Sequence, residues 1–246
     1  MTFFTGHPVS HGFARGIGQA PVRRPIAAFD ICLLVNWFGV MMTTTGEADM
    51  IYLVAGLVIF FGLHVYSAVR TRAPATRIEA RMGAGPFKGL YSLVAIAGFV
   101  LIVWGYGAAR PSAIIWQPPV WTAHLNILLQ LIAMPILVAA YLPAGHIKKT
   151  LKHPMLVAVK IWAIGHLLAN GELNSILLFG SFLAYAVFDR IMVKKRGETG
   201  LPHNVKTALS SDMIALLIGL VIWGAMIFGL HALLFGRPVI AGMGGA

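Results

Sequence analysis

Two histidines lie in apolar stretches that otherwise read as lipid-buried helix: His64 in "GLVIFFGLHVYSAVR" and His166 in "HPMLVAVKIWAIGHLLANGE". The second stretch also carries Lys160, and a charged group at mid-helix costs roughly 2.5–3.5 kcal/mol on the insertion scale. At helical spacing Gly56, Phe60 and His64 share a face with Ser67 close by. Trp162, His166 and Asn170 share another face, with Ala163 leaving room beside them. A small residue, an aromatic ring and an imidazole on one stripe suit a flat aromatic cofactor. A buried histidine bonded to a neighbouring carbonyl or hydroxyl suits the same pattern, and the spacing alone leaves both readings open.

The cations sharpen the first reading. Lys160 lies six residues before His166 and Arg70 six residues after His64, about 9 Å along each helix at 1.5 Å per residue. The two segments run in opposite directions, so cations at one level place the histidines at one level. Two neutral imidazoles would then fill the axial positions of a haem b, and the cations would meet its propionates. Six residues turn through about 240°, so the long side chains would have to bend round. The competing account pairs Lys160 with Asp189 and lets Arg70 snorkel to the headgroups. His153, thirteen residues before His166, is about 20 Å away along a continuous helix, too far to share one metal. It suits a helix cap or a vestibule at the basic end. His124 is a spare ligand or proton carrier, and the remaining histidines, His231 among them, carry no recognisable context. The chain shows no carboxylate pair at hydrolytic spacing, phosphate loop, GxSxG elbow or HExxH. Its single cysteine, Cys32, excludes a disulfide framework or a thiolate metal site.

The elements that must hold these residues are membrane spans. Of 246 residues, 58% are hydrophobic and only 11% are charged, against about 25% charged in soluble domains. Six runs read as spanning helices: Met50–Val69, Gly89–Ala109, Trp121–Leu142, Pro154–Asn170, Asn174–Asp189 and Met213–Phe235. The fold class is therefore an all-α membrane bundle of about six helices. The fourth and fifth runs, joined by "GEL", form a tight helical hairpin, and Pro154 suits a first helical position. The net charge of +11 falls in loops 70–88, 143–153 and 190–212, which orients those loops to the cytoplasm. Basic residues placed beside spans argue against nucleic-acid binding. Residues 1–49 form an extension with a weak apolar run interrupted by Asp30 and Asn36. It reads as a disordered or non-native start before Met50, or as a weak seventh span.

Several longer motifs carry a resemblance. "FFGLH", "RMGAGPFKGLYSLVAIAGFVLIVWGYGAAR" and "AAYLPAGHIKKTLKHPMLVAVKIWAIGHLLANGELNSILLFGSFLAYAVFDR" together resemble the NnrU family of bacterial membrane proteins over about residues 50–236. The resemblance implies a bacterial inner-membrane protein linked to nitrite and nitric oxide metabolism in denitrification. The family is similar in turn to plant zeta-carotene isomerase, a haem b membrane enzyme acting on a carotenoid polyene. That similarity implies haem b on His64 and His166, a hydrophobic polyene substrate and cis-trans isomerisation. It differs at Ala163, where the plant enzyme has a cysteine proposed to exchange with histidine on the iron, so the mechanism does not transfer whole. Two alternatives remain: a non-enzymatic haem carrier or assembly factor, and a membrane methyltransferase using S-adenosylmethionine. The "KHPM" start of the fourth run resembles the methyltransferase motif, but the paired acidic residues of those enzymes are missing.

Overall fold

A computed structural model describes residues 49–69, 78–198, 200–202 and 204–240. Arg70 and nearly all of the N-terminal extension, with its start-site and seventh-span readings, lie outside the described residues. The elements are α1 (Met50–Val69), α2 (Ile78–Met82), α3 (Ala84–Ala108), α4 (Val120–Tyr141), α5 (His146–Leu151), α6 (Pro154–Ala169), α7 (Leu173–Lys195), α8 (Leu209–Ala225) and α9 (His231–Phe235). A π-helical turn, Met226–Leu230, joins the last two. Four single helices, α1, α3, α4 and α7, are long and apolar enough to cross a membrane, and so is the kinked helical run Leu209–Phe235. The shorter apolar α6 supplies the sixth element of the bundle. The protein is thus an all-α membrane bundle.

Neighbours follow one another as α3, α1, α7, α6, α4 and α8. Lipid tails are as apolar as leucine, so close packing rather than hydrophobic exclusion holds such helices together. The α1–α3 pair shows how. A Cβ on Gly56 would meet the backbone of Ile102 at 2.6 Å, and one on Gly105 would run into the backbone of Leu53. The absence of side chains there lets the two antiparallel backbones touch. This overturns one expectation: Gly56 leaves no room for a flat cofactor beside Phe60 and His64, because α3 already fills it. Ala163 likewise leaves no room, being fully buried in the core cluster with Leu53, Ile102 and Phe179.

The basic end departs from simple loops. Loop 143–153 folds into α5, and α7 continues through Arg190 to Lys195 rather than ending at Asp189. Asp212 at the start of α8 accepts from the backbone N–H groups of His146 and Ile147 at 2.8 and 3.1 Å and from His146 Nδ1 at 2.9 Å. It therefore satisfies the N-terminal donors that α5 leaves unpaired. Lys148 Nζ donates to the carbonyls of Ala140 and Leu142 at the C-terminus of α4. Arg196 Nη1 donates to Ala68 O at the end of α1. Basic side chains here close helix ends, where the macrodipole favours positive charge.

Candidate functional site

The site starts from the two histidines. His64 Nδ1 donates to Phe60 O, one turn back, at 2.6 Å. His166 Nδ1 does the same to Trp162 O at 2.9 Å. Each bond fixes the tautomer, because a ring nitrogen facing a carbonyl must carry the proton. Nε2 is then the free lone pair of each neutral ring, and neither Nε2 hydrogen-bonds among the described residues. Tying one imidazole nitrogen to a carbonyl is also how proteins orient metal-bound histidines. Each ring thus keeps one nitrogen lone pair free of protein hydrogen bonds among the described residues.

Their surroundings differ. His64 packs against Phe60, Tyr91 and Tyr185, with ring centroids 4.2, 5.9 and 5.7 Å away. His166 stacks on Phe179 at 4.5 Å and touches Trp162 at 5.3 Å. The helices that carry them, α1 and α6, each pack on α7. A path of rings joins them: Phe60 meets Phe182 at 6.0 Å and Phe182 meets Trp162 at 5.3 Å. A haem shared by both imidazoles would need the space that Phe60, Phe182 and Trp162 occupy. In this conformation the residues do not fit such a haem.

Of the two cations, Lys160 is described, and it makes no hydrogen bond or ion pair among the described residues. Asp189 does not pair with it. That carboxylate lies 3.8 Å from Arg196, because the extension of α7 brings Arg196 back beside it. Asn170, the C-cap of α6, donates from Nδ2 to His166 O at 2.8 Å and so closes the helix rather than facing a ligand. His153 occupies the N-cap of α6 without a side-chain cap bond. Its Nε2 instead meets Glu198 O at 3.1 Å. Burial, then the nearby Arg190, hold its pKa below the ordinary 6.5. His124 is exposed near the start of α4. The methyltransferase motif at "KHPM" is therefore a packed helix start whose histidine is engaged.

Cavities gather instead around Trp162. One, about 200 Å³, is walled by Phe99, Ile102, Tyr106, Phe179 and Phe235 among others. A second, about 150 Å³, is lined by His166, Gln130, Met134, Met226 and His231. A third, about 280 Å³, lies towards Ala133, Ala158 and Val159. Trp162 lines all three, while His231 and Phe235 line the first two. Sequence reading passed over His231 and Gln130. Gln130 donates to Asn126 Oδ1 at 2.7 Å, yet its Oε1 is buried without a partner. His231 is brought inward by the π turn, where one extra residue per turn shifts the helical phase. Gly229 sits there at φ 151°, a conformation that L side chains rarely adopt. "FGLH" in the last span gives no sign of this, since the same four residues, Phe61–His64, lie in regular helix in α1.

The end of the bundle away from the basic loops is tied over these cavities. His231 Nδ1 donates to Arg237 O at 2.7 Å, and Arg237 Nη2 meets Glu172 Oε1 at 2.8 Å. Arg110 lies over the Tyr106 ring at 4.4 Å and donates to Phe235 O at 3.1 Å. Together these contacts hold α9 against α3 and the α6–α7 hairpin.

Compared with known families, residues 52–239 match the family described as NnrU protein. Searches of curated proteins and of solved structures give no match.

Proposed function

The chain belongs to the NnrU family, and on that premise we propose that it binds a slender, conjugated apolar ligand in the cavities around Trp162. The observation that carries this reading is the convergence of three separate hollows on one indole. Ligand pockets usually hold roughly 300–1,000 Å³, more than any of these cavities offers alone, so rotation of Trp162 would join them into one elongated site. The walls of the first and third cavities are largely aromatic and aliphatic, as a polyene requires. The likeness to plant zeta-carotene isomerase supplies the ligand class and the reaction class, cis-trans isomerisation of a double bond. The family's link with nitrite and nitric oxide metabolism supports a role in denitrifying bacteria, and positive charge beside the spans supports a cytoplasmic position for the basic end of the bundle in the inner membrane. A fluorescent tetraene, cis-parinaric acid, tests the binding step. Saturable enhancement at one probe per chain is expected, with clear loss in Val103→Trp, because Val103 lines the first cavity and an indole there would fill it. Partitioning that never saturates and is the same in both proteins would refute it.

Haem b is a second reading, favoured by the Nδ1–carbonyl bonds that leave Nε2 of His64 and His166 free. Binding between them requires the Phe60, Phe182 and Trp162 rings to part. Protein from haem-replete cells should then show a Soret band that His64→Ala and His166→Ala each remove and His153→Ala keeps. Absence of the band in the unaltered protein would refute haem while leaving the apolar-ligand reading intact.

A further inference from the structure

We propose that the cavity shared by His166 and His231 is a copper(I) site, with the two imidazoles and the thioethers of Met134 and Met226 as donors. All four side chains line one hollow of about 150 Å³ between α4, α6 and the π turn. The donor atoms are prepared on the histidine side. His166 Nδ1 is held by Trp162 O and His231 Nδ1 by Arg237 O, at 2.9 and 2.7 Å. Nε2 of each ring is left with a lone pair and no hydrogen bond among the described residues. Methionine side chains are flexible and polarizable, so two thioethers lining one hollow adapt to one ion.

The choice of ion follows from charge and softness. Every donor is neutral, and no group of three or more His, Cys, Asp or Glu able to hold a metal occurs among the described residues. A dication would enter an apolar cavity with no anionic ligand to balance it, which is strongly unfavourable. Copper(I) carries a single charge, and soft sulfur ligands select it. Gln130 gives a further reason to expect a cation here. Its Oε1 is buried and unpartnered, and buried acceptors in native proteins nearly always have a partner. Its Nε2 approaches His166 Nδ1 at 3.4 Å, which sets the amide beside the imidazole. The backbone irregularity has a purpose on this account. Gly229 at φ 151° and the π turn immediately precede His231, which lines the same hollow as His166, and π turns recur at functional sites.

This inference does not rest on ligand binding, although the copper cavity is one of the three hollows that the apolar ligand would join, so copper and ligand compete for that end of the site. It does compete with the haem reading for His166. The test is anaerobic titration of the full-length protein in detergent with copper(I), against the chelator bathocuproine disulfonate. Unaltered protein should take one copper(I) per chain, and X-ray absorption should show sulfur as well as nitrogen neighbours. His231→Ala and the volume-conserving Met226→Leu should each weaken binding by tenfold or more, and His124→Ala should not. Met226→Leu guards against simple misfolding, and the melting temperatures of the same variants in detergent show whether the bundle survives. No uptake against the chelator, a shell without sulfur, or equal affinity in all four proteins would overturn the proposal.

Discussion

At the scale of single residues, polar groups in this bundle serve either helix ends or cavities, and the two uses respond differently to mutation. Asp212 belongs to the first kind. Its carboxylate is nearly buried and receives three hydrogen bonds from His146 and Ile147. Hydrogen bonds to a charged acceptor contribute about 1.5–3 kcal/mol each, so Asp212→Asn should lower thermal stability in detergent by about 1–3 kcal/mol in total. An unchanged melting temperature would show that the cap contributes nothing. His153 makes a second prediction, in pH. Its folded pKa is depressed by burial first and by Arg190 next, so the neutral ring is the stabilised form. The unfolded chain takes up the proton more readily, hence stability is fully present above about pH 6.5 and declines as pH falls below it. His153→Gln should flatten that decline between pH 6.5 and 5, as read from thermal unfolding in a buffer series.

At the scale of elements, contacts between small residues and backbone decide which helices are neighbours. Gly105→Leu would drive a branched side chain into the backbone of Leu53. Overpacking of this kind costs typically 1–3 kcal/mol, and here α1 could escape it only by separating from α3. The variant should unfold earlier in detergent titration, whereas Gly107→Leu, with open space around it, should behave like the unaltered chain. Much of this level was legible in the sequence. The apolar runs, Pro154 at the first turn and the "GEL" hairpin gave the helices and their order. The end of α7 was not legible, because Arg190, Lys194 and Lys195 read as loop while their long stems let them stay helical at a membrane edge. His231 was not legible either. A π turn shifts the helical phase by one residue, so a face count at 3.6 residues per turn points that histidine the wrong way.

At the scale of the whole molecule, the two ends of the bundle are built on different principles. One end is a basic cap in which segments far apart in sequence lock together: Ala208 N–H donates to Ala144 O, Lys149 to Val205 O and Arg196 to Ala68 O. The other is closed by the last helix and the Arg237–Glu172 pair over the Trp162 cavities. Loops 143–153 and 196–208 are therefore on one side, and the segment after Phe235 is on the other. Positive charge near span ends favours the cytoplasmic side. Reporter fusions after Lys149 and after Lys206 should accordingly give cytoplasmic signals, and a fusion after Ile240 the opposite one. The latch makes the same arrangement testable by function. Glu172→Gln removes the charge that holds Arg237 while leaving every cavity wall in place, so α9 should loosen without the bundle unfolding. Exchange of cis-parinaric acid should then speed up with little change in melting temperature, because an exposed ion pair contributes only about 0–1 kcal/mol to stability. A melting temperature that drops while exchange stays constant would mean that the pair holds the fold rather than the entrance.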